Sequence, residues 1–324
     1  MTFFIILIAV FLAMNVGANN TAAEMEAAYR TGVRTKKEAL TLIAIFVILG
    51  AIIFGLPVLK TLSEGIVPIR TFKSCFYIVF VVMAVSAAYD FVSSIFKVSI
   101  PTTYAIVSSI AAVGIYYDTM AAERYVDILV WWFLSPIIAF GIAFIIGKTL
   151  NLKAVTDFHR LKEEGKVKAI LGAMLSFSGC YVAFAGGANG VGKAMAPVVA
   201  VGFIDTRWGI LIAGVGIAAG ALIFGKAALE TDEREMGEIG FVRAIFIELI
   251  CATALLVASI KGIPLSVSVT VTASLTGLGC ADLGIKQSLK KHHIIRNLVM
   301  WLIVPFTSAW LTYFLLHFLK VILK

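Results

Sequence analysis

Gly50-Ala51-Ile52-Ile53-Phe54-Gly55 and Gly220-Ala221-Leu222-Ile223-Phe224-Gly225 are one phrase written twice, 170 positions apart. At the same spacing Gly17-Ala18-Asn19 returns as Gly187-Ala188-Asn189, Met25 as Met195, Leu59 as Leu229 and Thr61 as Thr231. Further on, Trp132 and Pro136 match Trp301 and Pro305 at an offset of 169. Small residues are common in apolar helices, so each match alone is weak. An offset that stays constant from residue 17 to residue 61 is an internal duplication.

The medium follows from composition. The chain is 60% hydrophobic and 14% charged, with a mean hydropathy of +0.99, whereas a soluble domain is about half apolar and about a quarter charged. Apolar stretches long enough to cross ~30 Å of hydrocarbon run near residues 2–16, 39–59, 74–96, 99–117 and 126–147, and again near 169–186, 209–229, 241–260, 263–285 and 298–323. These features exclude a soluble enzyme, a disordered chain and a peripheral protein with a single anchor. The fold class expected is an all-α polytopic membrane protein with about ten spans. A first transmembrane repeat covers residues 1–150, a polar cytoplasmic linker 151–168, and a second repeat 169–324.

Five spans per copy force the second copy to insert upside down. Inverted repeats of this kind build transporters, with discontinuous helices and the substrate site at the repeat interface. The net charge of +8 is then topology rather than a nucleic-acid footprint: 18 of the 27 Lys and Arg fall in the loops that are cytoplasmic when both termini lie outside. Met1 to Ala18 has the apolar core and small-residue end of a signal peptide but not its basic start. Its counterpart lies mid-chain, so it is read as structure. Cys75, Cys180, Cys251 and Cys280 show no metal-ligand or paired spacing and read as small hydrophobes.

Two pairs of segments carry the candidate chemistry. Residues 15–29 and 186–197 each follow an apolar span with Gly, Asn and small residues. A helix restarting at Asn19-Asn20-Thr21, and its counterpart at Asn189-Gly190-Val191-Gly192, would aim free backbone N–H groups and a positive dipole end at an anion. The competing reading is close helix packing through small residues. The second pair is Pro101-Thr102-Thr103 and Pro264-Leu265-Ser266-Val267-Ser268, where hydroxyl donors stand beside a proline at the start of a span. Hydroxyls suit a tetrahedral oxyanion, and a broken or re-entrant helix is the form such a segment takes in lipid.

On these residues the chain resembles the inorganic phosphate transporter (PiT) family, whose repeated signature is Gly-Ala-Asn-Asp followed by small residues, with a later Pro-Val-Ser-Thr-Thr-His run. The phrases Phe11-Leu12-Ala13-Met14-Asn15-Val16-Gly17-Ala18 and Val58-Leu59-Lys60-Thr61-Leu62-Ser63-Glu64-Gly65-Ile66 look most like its bacterial sulfate permease (CysP) branch. The resemblance implies a phosphate or sulfate symporter in the cell membrane, assembled as a homodimer. The signature aspartate, however, is Asn20 in the first copy and Gly190 in the second. In the phosphate branch those aspartates help hold sodium, so the family's sodium site does not carry over.

Ionisable residues inside spans are functional by default. Lys193 stands where the signature has a small residue, and Glu24 lies in the symmetry-related segment. The expectation is that Lys193 offsets a dianion while Glu24 takes a coupled proton, with Glu248 as the alternative proton carrier and Asp90 and Asp282 as further intramembrane acids. A site lined by N–H, amide and hydroxyl donors without carboxylates favours sulfate, which only accepts hydrogen bonds, over hydrogen phosphate, which also donates one. Proton-coupled sulfate import is therefore expected first and phosphate second. A passive channel is the rival class. No nucleophile–base pair, metal cluster or nucleotide-binding loop is legible, so neither catalysis nor a cofactor is expected.

Overall fold

A computed structural model describes residues 2–74, 76–96, 100–149, 165–230, 241–289 and 292–322. Helices make up nearly all of it: α1 (Thr2–Arg30), α2 (Lys36–Lys60, running into a π-turn at Thr61–Gly65), α3 (Ile69–Ser74), α4 (Phe76–Phe96), α5 (Thr102–Tyr116) and α6 (Ala122–Thr149) in the first half. The second half holds α7 (Gly165–Val201), α8 (Thr206–Glu230), α9 (Phe241–Ile260), α10 (Val267–Leu283), α11 (Ile285–Leu289) and α12 (His292–Ile322). Seven helices are long and apolar enough to cross a membrane: α1, α2 with its π-turn, α6, α7, α8, α9 and α12.

Ten full spans do not appear among the described residues. The stretches expected at 74–96, 99–117 and 263–285 become shorter helices, because Pro101 and Pro264 hold the chain extended before α5 and α10 begin. The 15 residues of α5 rise only ~22 Å, short of the ~30 Å of hydrocarbon. The linker placed at 151–168 lies outside the described residues except for 165–168, which form the first turn of α7.

The duplication is visible in the turns. Gly32 and Gly202, 170 residues apart, close α1 and α7 with φ of +70° and +85°, a left-handed conformation that costs glycine least. Thr35 then opens α2 with a capping box: its hydroxyl accepts from the Glu38 N–H while Glu38 accepts from the Thr35 N–H. Asp205 does the equivalent work before α8, accepting from the Arg207 N–H at 2.9 Å.

It is plainer still in the packing. A Cβ at Gly17 of α1 would stand 1.9 Å from the carbonyl oxygen of Ile217 in α8, and one at Gly187 of α7 would stand 2.1 Å from that of Val47 in α2. Adding 170 to Gly17 and Val47 gives Gly187 and Ile217: the copies exchange partners. Gly50 meets Phe184, and Gly220 meets Met14, by the same rule. Gly55 against Val191 and Gly225 against Thr21 extend it. Four helices, α1, α2, α7 and α8, thus form a core in which backbones touch through glycine, while α5 packs on α12 and α6 on α10. Large apolar side chains such as Phe133, Phe306 and Trp310 point outward, as they do on a surface solvated by lipid.

The glycines also overturn one expectation. Neither 15–29 nor 186–197 interrupts a helix: α1 and α7 run straight through them. The small residues are there so that a neighbouring backbone can come close, and every N–H in those segments is used along the helix. No helix start presents itself at Asn19 or Asn189.

Candidate functional site

Helix α7 is the spine of the site. Lys193 is 7% exposed on it, and two carboxylates from other elements lie within electrostatic reach of its ammonium: Asp90 of α4 and Glu24 of α1. Glu24 is 1% exposed and neither of its oxygens has a hydrogen-bond partner. It lies along α7, its backbone oxygen 2.6 Å from the Cβ position of Gly179 and its Oε1 2.8 Å from that of Gly186. Any side chain at Gly186 would displace the carboxyl. Asp90 is held by the Thr102 hydroxyl at the first residue of α5. Lys193 and Glu24, expected to act together, are thus brought together, and Asp90 and Thr102 join them. Asp90 stands alone as an acid in the apolar run of α4, which was the signal for it.

The structure contains no carboxylate-free site. The donor-only reading that favoured sulfate does not survive, because Glu24 and Asp90 supply acceptors beside Lys193. The duplicated aspartates are absent, yet acids from elsewhere on α1 and α4 take up the space.

Asn189 is fully buried and tied to the segment before α10. Its Nδ2 donates to Ser259 Oγ at 3.0 Å and to the Ile263 carbonyl at 3.1 Å, while its Oδ1 accepts from the Leu265 N–H at 2.9 Å. Both amide donors are spent on that segment, so the side chain holds the α9–α10 crossing in place. Trp132 adds a bond from its indole N–H to the Pro264 carbonyl at 2.9 Å, stacked on Tyr104 at 3.9 Å. Thr103 donates to the Leu265 carbonyl at 3.2 Å, linking α5 to the same segment. Ser266 caps α10 and shares a bond with Ser268 at 3.0 Å.

The remaining candidates part ways. Asn19 is exposed, whereas its counterpart Asn189 is buried. Asn20 is half-buried, with an Nδ2 that meets no acceptor. Thr21 bonds back to the Gly17 carbonyl at 2.8 Å and packs on Gly225. Gly190 packs on Ile217, Val191 on Gly55, and Gly192 on Val58 and Leu62; these serve helix contact. Glu248, 1% exposed on α9, bonds to Ser178 of α7 rather than facing Lys193.

Comparison with known proteins accounts for this arrangement. A family model described as the phosphate transporter family matches residues 16–312. The chain belongs to that family. The sulfate permease CysP of Bacillus subtilis is 31% identical over 97% of this chain and 87% of its own length. A protein of Pyrococcus abyssi that bears the name of a phosphate permease is 25% identical, over 89% of this chain and 90% of its own. The solved structure of a sodium-dependent phosphate transporter superposes with a TM-score of 0.82 at 21% identity, covering 98% of this chain and all of that one; this likeness concerns the fold. As a family member the chain is a multi-pass secondary transporter of an inorganic oxyanion, and not an enzyme.

Proposed function

We propose that this transporter family member binds its oxyanion at Lys193 and couples its import to a proton carried by Glu24. The observation that carries the reading is a buried lysine facing two carboxylates in the interior of a membrane fold. An ionised carboxylate without partners is costly to bury, so the charge on Glu24 and the presence of an anion at Lys193 are linked. When the anion takes up the lysine's charge, Glu24 is left facing a dianion and gains by accepting a proton. Each ligand then favours the other, and linkage makes the effect reciprocal.

Phosphate is the substrate the site's chemistry supports first. Its monohydrogen form presents three acceptor oxygens to Lys193 and the Thr102–Thr103 hydroxyls, and one O–H to Glu24 or Asp90. The names of most relatives point the same way. Sulfate is the second reading, favoured by the 31% identity to the Bacillus permease and by a lysine where the signature has a small residue. The reading includes a homodimer with both termini outside, crossing the membrane in inverted repeats whose broken elements are the segments before α5 and α10.

Uptake of radiolabelled phosphate and sulfate into proteoliposomes tests it, each anion competing with the other under imposed proton or sodium gradients. Saturable accumulation driven by protons is expected. Uptake that needs sodium at a fixed proton gradient, or unsaturable uncoupled flux, would sink the reading.

A further inference from the structure

Glu248 is the acid of α9 that the proposed site leaves unused. Helices α7 and α9 run side by side in a fixed register: Ser178 bonds to Glu248 and Asn189 to Ser259, both 70 residues apart. Those two contacts are eleven residues apart on each helix, or ~16 Å of parallel packing. Glu248 therefore enters level with Ser178, and its second oxygen, Oε1, is buried there without a partner. Next to it on α7, the Gly179 position touches the backbone of Glu24, whose carboxyl then runs on to Gly186. Between the two carboxyls the same register sets Cys251, fully buried and one turn beyond Glu248; it is in electrostatic range of both Glu248 and Glu24.

On the other side Ser176, two residues before Ser178, accepts from Arg34 Nε at 2.8 Å. Arg34 belongs to the partly exposed turn between α1 and α2. The ionisable groups around Glu248 are thus Cys180 of α7, which also feels Arg34, Cys251 of its own helix and, beyond Cys251, Glu24 of α1. Along one face of α7 the order is Arg34, Glu248, Glu24, Lys193.

We infer that Glu248 is a proton-relay residue, taking protons from the aqueous edge at Arg34 and passing them to Glu24. In the transfer the O–H of the Glu248 acid breaks, the Glu24 carboxylate gains that proton, and Glu248 is reprotonated from the aqueous edge; total charge is unchanged at each step. The inference rests on the reading of Glu24 as coupling acid. A relay sets how fast protons arrive, not how many accompany each anion, and that separates the two roles.

The test is proton-driven phosphate uptake and phosphate–phosphate exchange in proteoliposomes carrying Glu248→Gln, Ser178→Ala or Glu24→Gln. Glu248→Gln is nearly isosteric and still bonds Ser178, so exchange, which needs no net proton, is expected at the unsubstituted rate. Its initial proton-driven uptake should fall about tenfold or more, in line with the loss of a positioned proton donor, while the final accumulation ratio is unchanged. Ser178→Ala, which keeps the carboxyl but frees both oxygens, should shift the pH at which uptake is half-maximal without altering exchange. Unchanged initial uptake in Glu248→Gln, or an unchanged pH profile in Ser178→Ala, overturns the relay. A lowered accumulation ratio in Glu248→Gln with a normal one in Glu24→Gln makes Glu248 the coupling acid and also overturns it. Normal accumulation in Glu24→Gln with slowed uptake in Glu248→Gln instead refutes the proposed function.

Discussion

Gly50 of α2 rests directly on the backbone of Phe184 in α7, so closely that a methyl group would stand 1.8 Å from the Phe184 carbonyl oxygen. Its image under the repeat, Gly220 against Met14 at 1.9 Å, fails in the same way. No rotamer can relieve either clash, because the opposing atom is backbone. Gly50→Ala and Gly220→Ala should each separate a helix pair and destabilise the fold by ~1–3 kcal/mol or more. Gly141→Ala on α6, where nothing lies within 4 Å of the added carbon, should cost nothing measurable. Thermal unfolding of the three purified variants in detergent checks this, and equal melting temperatures would deny that the repeats meet through these glycines.

Asn189 and Asn19 occupy equivalent positions in the two copies but should behave differently. Asn189→Ala removes three hydrogen bonds and strands the Leu265 N–H and the Ile263 carbonyl, each a loss on the order of 1–3 kcal/mol. The variant should be poorly stable and transport little. Asn19→Ala, exposed on α1, should fold normally, and any loss should appear in apparent affinity. Melting temperature and uptake KM, measured together, separate the two. If Asn189→Ala is as stable as the unsubstituted chain, the side chain is not the tie that its geometry makes it.

The pseudo-symmetry was legible because glycines tolerate no drift: Gly17, Gly50, Gly187 and Gly220 each face a backbone, so both copies kept them. The same residues misled about local structure. A run such as Gly186-Gly187-Ala188-Asn189-Gly190 has low helix propensity, and only the neighbouring backbones of α2 and α9 show why α7 continues through it. Glu24 and Lys193 stood out as charges in apolar surroundings. Asp90 was visible as an acid but not as their neighbour, since 66 residues of chain separate it from Glu24 and no local pattern carries that contact. The tether from Asn189 to residues 259–265 was hidden for the same reason.

Trp132 should contribute through its N–H as much as through its ring. Trp132→Phe keeps an aromatic face against Tyr104 but leaves the Pro264 carbonyl without its donor at 2.9 Å. Because that carbonyl belongs to the segment that Asn189 also holds, a loss of about 1 kcal/mol is expected, together with faster hydrogen exchange at Val269 and its neighbours at the start of α10. Exchange confined to α6 would place the effect elsewhere.

The charges around Lys193 provide the sharpest test of the site, since stability and transport should move in opposite directions. Lys193→Met removes the cation and leaves Glu24 and Asp90 buried together with no opposing charge. Breaking buried charge compensation from one side typically costs about 3–5 kcal/mol, so the single variant should melt early and bind no anion. Adding Glu24→Gln removes one of the two stranded carboxylates, and the double variant should regain much of the lost melting temperature. It should still fail to bind phosphate or sulfate, because the charge that attracts them is gone. Lys193→Arg keeps the charge but replaces a compact ammonium with a wide planar group, and should retain weak binding. Thermal unfolding with and without added anion reads all three: only the unsubstituted chain and Lys193→Arg should be stabilised by phosphate. An anion-dependent rise in the double variant would show that the oxyanion binds somewhere other than Lys193.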